Sequence, residues 1–251
     1  MSGHYIEFQT VYKAFGDNRV LEGVSFYVDP GETLVILGRS GVGKSVTLQH
    51  IMGFRKPDAG RVWVAGEDIT DYRETELQRI RKKVTMVFQS GALFDSLTIF
   101  ENVAFPLRET RGYSEENIAE VVGGLLDLLE IREFADSLPA DLSTGMKRAA
   151  AIARALAAQP EAILYDEPTT MVDPLMSQHI GDLIERLKRQ LKLTSVVVTH
   201  DTRLAKKVAD RVMFLEDGQV AFFGVPEELY ACSDELIREF LREDEFRSVA
   251  G

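Results

Sequence analysis

Gly38-Arg39-Ser40-Gly41-Val42-Gly43-Lys44-Ser45 has the spacing G-x-x-x-x-G-K-[ST]. In such a run the glycines let successive backbone N–H groups wrap a chain of phosphates, the lysine neutralises the β- and γ-phosphates, and the final hydroxyl ligates Mg²⁺. Here those last two roles fall to Lys44 and Ser45. Apolar Thr33–Leu37 precedes the run and a helix opens near Lys44, so the helix dipole also favours an anion there. The chemistry implied is the binding of a nucleoside triphosphate. The loop alone does not separate small-molecule kinases, GTPases and ATPases.

A second cluster narrows the choice. Asp166-Glu167-Pro168 follows the apolar run Ala162–Tyr165. A strand-end Asp beside a phosphate loop holds Mg²⁺ through its water shell, and the next acid polarises the water that attacks the γ-phosphate. Two acids in this position suit hydrolysis better than transfer to a bound alcohol. An isolated Asp-Glu pair is more often an exposed turn, but downstream of a phosphate loop the hydrolytic reading is the stronger. Pro168 disfavours α conformation at Glu167, which predicts an extended exit from the strand that aims this carboxylate into the site. Another apolar run, Ser195–Thr199, ends at His200-Asp201. A lone histidine at a strand end is more often structural. Ligands of open α/β sheets, however, bind beyond the carboxyl ends of the strands, the edge at which Lys44, Asp166 and His200 all emerge. His200 is therefore a candidate γ-phosphate contact.

These residues need a scaffold, and the pattern of the chain supplies one. Short apolar runs at Thr33–Leu37, Val84–Phe88, Ile163–Tyr165 and Ser195–Thr199 are rich in β-branched residues and too short for helices, so they read as buried parallel strands. Helical stretches around Val46–Phe54, Ala149–Ala158 and Met176–Leu191 lie between them, in the alternation of a doubly wound α/β fold. Val24–Val28 alternates as a half-buried strand does, which makes the amino-terminal part β-rich. From Ser90 to Asp141 the pattern predicts an almost wholly helical insertion, with Asn117–Leu129 its clearest amphipathic piece.

Composition sets outer bounds. The chain has 251 residues, 45% hydrophobic and 27% charged, which is an ordinary folded domain. Its net charge of −11, with no basic cluster, argues against a nucleic-acid partner, whose phosphates would need neutralising. One cysteine, Cys232, excludes an intrachain disulfide and fits a reducing compartment. No apolar run approaches the roughly 18 residues of a membrane span.

Leu142-Ser143-Thr144-Gly145-Met146 stands before the Ala-rich helix, and with it the order of motifs resembles that of an ATP-binding-cassette (ABC) ATPase over essentially the whole chain. The order runs from the aromatic Phe15 through the phosphate loop, Gln89, the Leu-Ser-x-Gly-x signature and Asp166-Glu167 to Asp173 and His200. The resemblance implies an α/β P-loop NTPase core with an antiparallel β subdomain and a helical subdomain. It implies one domain over 1–251: a core at about 1–89 and 142–225, a helical part at about 90–141, and a helical tail from 226. It implies ATP and Mg²⁺, with Phe15 stacked on adenine, Gly38, Ser40, Gly41, Val42, Gly43, Lys44, Ser45 and Val46 around the phosphates, and Ser45, Gln89 and Asp166 on the metal. Glu167, His200 and Gln89 then serve catalysis. Ser143, Thr144, Gly145 and Met146 grip the nucleotide of a second subunit, and Asp173 marks the D-loop, so the active unit is a head-to-tail homodimer.

Three features depart from the family pattern. In the signature Thr144 replaces a glycine and Met146 a glutamine; Val46 replaces a hydroxyl residue that contacts the α-phosphate, a bond lost unless Thr47 supplies it; and the Asp loop, Met171-Val172-Asp173, keeps only its acid. A narrower resemblance, carried by Phe88–Phe94, Asn102–Arg108 and Met146, is to the ATPase of Mla/Mce-type phospholipid transporters. That implies membrane permease subunits, an Mce lipid-binding protein, a STAS-domain subunit, and a peripheral place on the cytoplasmic face of the inner membrane. An ATPase of another importer is the alternative. A DNA-maintenance machine would carry a long coiled coil or a basic groove, and a phosphotransferase has no use for the signature. The amphipathic stretch Asp234–Arg247 docks either on a partner or on its own core.

Overall fold

The computed structural model describes residues 3–110 and 112–249, and for 244–249 the backbone alone. Two sheets share one core. The first is antiparallel, in the order β2-β1-β4-β5, from β1 (Ile6–Phe15), β2 (Asn18–Val28), β4 (Ala59–Val64) and β5 (Glu67–Asp68). The second has the order β10-β9-β3-β8-β7-β6, from β3 (Thr33–Leu37), β6 (Val84–Val87), β7 (Ala162–Asp166), β8 (Thr194–Thr199), β9 (Arg211–Glu216) and β10 (Gln219–Gly224). Its strands are parallel except β10, which runs antiparallel to β9.

The apolar runs are continuous because both faces of the parallel sheet are covered. Side chains alternate across a strand, so Leu34 and Ile36 enter the core shared with the antiparallel sheet, while Val35 and Leu37 enter the core under the helices. Strand β7 divides likewise, with Leu164 on one side and Ile163 and Tyr165 on the other.

Helix α1 (Lys44–Ile51) follows β3 directly, and α2 (Glu74–Lys83) precedes β6. The helical part holds α3 (Ile99–Glu109) and α4 (Glu115–Leu128), with 3₁₀ turns at Arg132–Phe134 and Pro139–Asp141. Residues 90–98 are not helical, against expectation. Thr98 begins α3 through a reciprocal capping box with Glu101, a signal visible in the sequence that fixes the helix start eight residues late. Fully buried Asn102 then staples the preceding turn, accepting from the Phe94 N–H at 2.7 Å and donating to the carbonyls of Phe94, Leu97 and Thr98 at 3.0 Å each.

Helix α5 (Thr144–Ala157) is lined with alanines that let it lie close to its neighbours, and Ala149, Ala150, Ala151 and Ala153 are buried. Helices α6 (Pro174–Leu191) and α7 (Thr202–Val208) follow the ends of β7 and β8. After α8 (Pro226–Ala231), α9 (Glu235–Val249) resolves the two expectations for the tail: Ile237 and Phe240 are buried, and the Phe240 ring meets Phe214 of β9 edge-on at 5.0 Å. It packs on its own core. The side chains beyond 243 lie outside the described residues. No described helix is long and apolar enough to cross a membrane.

Candidate active site

Every strand-end residue singled out from the sequence comes to the carboxyl edge of the parallel sheet. A cleft of about 400 Å³ opens there. Its walls include Phe15, Ser40, Gly41, Gly43, Lys44, Ser45, Val46, Gln89, Glu167 and His200. Gly38 lies just behind, its carbonyl accepting from the Lys44 ammonium at 2.7 Å, and Val42 packs against the neighbouring core. Gly43, at φ +108, turns the loop into α1. A methyl group there would fall 2.8 Å from the Val20 carbonyl, so the position admits no side chain.

The charges are arranged as a chain. The Lys44 ammonium, almost wholly buried, lies 3.2 Å from Glu167 Oε1. On the other oxygen, Glu167 Oε2 accepts from His200 Nδ1 at 2.9 Å and from the Thr170 hydroxyl at 3.0 Å. Burial opposes ionisation of Glu167, but the His200 hydrogen bond and the Lys44 charge outweigh it and hold the carboxyl below its usual range. Asp166 goes the other way: burial, reinforced by the negative charge of Glu167, pushes its carboxyl up despite a hydrogen bond from Ser45 Oγ at 2.8 Å. A partly buried carboxylate and a hydroxyl side by side at the end of the phosphate loop fit a hard divalent cation completed by phosphate and water oxygens.

Glu167 does not leave its strand extended. Its φ is +47°, in the left-handed region. Its N–H is tied to the Val198 carbonyl of β8 at 2.9 Å, and the Thr170 N–H closes a turn back onto its carbonyl at 3.2 Å. The bias of a following proline is thus overridden by two backbone hydrogen bonds, and a residue held this way is a hallmark of an over-determined site. Sequence reasoning also missed two cleft residues, Val20 and Thr170. A hydroxyl three positions after Glu167 was the available signal for Thr170. Val20 carried none.

Phe15 is partly exposed, with the Arg55 guanidinium 4.7 Å and the Lys13 ammonium 5.6 Å from its ring centroid. These cations hold the ring through its quadrupole. Thr47 does not stand in for Val46. Its fully buried hydroxyl donates back to the Gly43 carbonyl at 3.2 Å, while Val46 faces the cleft.

The signature residues lie outside this cleft. Ser143 caps α5, accepting from the Met146 N–H at 3.3 Å, and Met146 packs into the helical core, which explains an apolar residue there. At Gly145 a methyl group would sit 1.9 Å from Met176 Cε, so its bare backbone lets α6 approach. Asp173 caps α6 through the Met176 N–H at 3.0 Å.

Comparison with known proteins agrees with this geometry. The profile of the family described as "ABC transporter" matches residues 21–170. The intermembrane phospholipid transport system ATP-binding protein MlaF of Haemophilus influenzae is 37% identical over 96% of this chain and 92% of its own. The methionine import ATP-binding protein MetN of Carboxydothermus hydrogenoformans is 40% identical over 84% of this chain and 63% of its own. Among solved structures, the dimeric ATP-binding cassette MJ0796 superposes with a TM-score of 0.81 at 34% identity over 88% of this chain and 98% of that one. A post-hydrolysis state of the same cassette, bound to ADP and Pi, gives 0.80. With cleft, phosphate loop and family profile in agreement, this chain belongs to the ABC transporter family, as an ATP-binding subunit that hydrolyses ATP.

Proposed function

We propose that this subunit drives phospholipid transport. It works as a head-to-tail homodimer on the cytoplasmic face of the inner membrane, on permease subunits that serve an Mce lipid-binding protein and a small STAS-domain subunit. What supports the lipid reading is the 37% identity to MlaF over 96% of this chain, together with the segment Phe88–Phe94, which resembles that of Mla-type ATPases. It runs from the cleft at Gln89 to an exposed aromatic pair, Phe94 and Phe105, whose ring centroids are 4.8 Å apart. An apolar patch one short segment from the nucleotide is where a cytoplasmic helix of a permease would lie, in a helix-in-groove contact. The comparable similarity to MetN favours a second reading, an importer of a small polar solute.

Within the site, the triphosphate lies along the loop from Gly38 to Ser45, and its γ-phosphate competes with Glu167 for Lys44. Ser45, Asp166 and Gln89 would hold Mg²⁺, which when bound would neutralise phosphate charge. Glu167 takes a proton from the attacking water as the new P–O bond forms and the bond to ADP breaks. His200 keeps that carboxylate in place and contacts the γ-phosphate. Phe15 stacks on adenine, and Ser143 and the Gly145 N–H of the second subunit close over the phosphates. Isolating the native complex and identifying its chains and lipids tests the proposal. A permease, an Mce-type protein and bound phospholipid are expected; a complex with neither lipid nor an Mce-type protein would favour the importer.

A further inference from the structure

Two arginines of α5 direct their hydrogen bonds to the segment that carries Gln89. Arg148, buried, donates from Nη1 to the Phe88 carbonyl at 2.9 Å. Arg154 donates from Nη1 to the Ala92 carbonyl at 2.7 Å and from Nη2 to the Gly91 carbonyl at 3.2 Å, and its guanidinium lies 5.7 Å from the Phe94 ring centroid. Among the described residues neither arginine has a carboxylate within ion-pair distance. The loop is shaped to meet them. Gly91 has φ +78° and Ala92 φ +47°, and the Gly91 N–H closes a turn on Phe88. An alanine in the left-handed region persists only where its surroundings fix it. Only a guanidinium offers several donors in a rigid fork able to take two successive carbonyls.

We infer that Arg154, with Arg148, is a positioning residue for Gln89, binding the glutamine segment to the signature helix so that the two motifs move as one body. The consequence is a route between the two faces of the cassette: a displacement of α5, which begins at Ser143, moves Gln89 in the cleft and Phe94 on the surface together. This rests on the role in hydrolysis proposed above for Gln89.

The test is a double-mutant cycle on ATP turnover by the purified full-length chain, with Arg154→Lys, Gln89→Ala and the pair. Lysine keeps the charge but cannot fork. Arg154→Lys should lower kcat about fivefold with little change in KM, yet cost almost nothing further in the Gln89→Ala background, since residues acting through one another are not additive. If Arg154→Lys costs the same factor in both backgrounds, the clamp does not act through Gln89 and the inference is wrong. Should Gln89→Ala alone leave kcat unchanged, the role of Gln89 falls and the inference with it. Where Arg154→Lys does not accumulate as folded protein, the same cycle with Arg154→Gln decides, because its amide can still donate to one carbonyl but cannot take two.

Discussion

Glu167 is held by a left-handed backbone, by Lys44 on one oxygen, and by His200 and Thr170 on the other. Its carboxylate is held ionised, which is the state a general base needs. Glu167→Gln preserves shape while removing the proposed base, so ATP should still bind while hydrolysis falls by about 10²-fold or more, measured as single-turnover phosphate release. Lys44→Ala removes the buried ammonium that lies against Glu167 and, on the proposed function, faces the phosphates. Tight binding of ATP should be lost, as titration calorimetry would show; unchanged affinity would move the main phosphate contact elsewhere. The motif residues were legible in the sequence because loop spacing and strand-end position are local properties. The geometry at Glu167 was not, because it depends on the Val198 carbonyl of a strand more than thirty residues away.

At the scale of elements, buried strands were legible as unbroken apolar runs, since a sheet covered on both faces has no polar side to write into the pattern. Helix α5 was legible from its alanines, although its first residue, Thr144, lies five residues before the run that announced it. The stretch 90–98 was misread as helical because Asn102, which holds it in a turn, acts through four hydrogen bonds that no periodicity records. The tail was ambiguous for a similar reason: an amphipathic stripe shows that a face will be covered, not by what. Phe240 settles it by meeting Phe214. Phe240→Ala should therefore cost about 3 kcal/mol of stability in urea denaturation. A loss below about 1 kcal/mol would mean that α9 docks only loosely on this core.

At the scale of the whole molecule, the signature residues lie outside the cleft, and in the proposed homodimer a second copy brings them. Ser143→Arg should leave ATP binding to the single chain intact and block ATP-driven dimerisation. Mixed with Lys44→Ala, it should regain some turnover, because one of the two composite sites then carries neither change. Mixed dimers that form and show no turnover would mean strict coupling of the sites or a signature that acts within its own chain. Phe94→Asp should place a charge in the proposed permease contact and weaken assembly, while ATP affinity of the isolated subunit stays near normal. The central claim is that ATP hydrolysis at this cleft moves phospholipid, and it is tested most directly by reconstituting the purified native complex in vesicles with fluorescent phospholipid. The prediction is ATP-dependent lipid movement that disappears when the subunit carries Glu167→Gln. ATP turnover by the same vesicles with no lipid movement, or with uptake of a small polar solute instead, would contradict it.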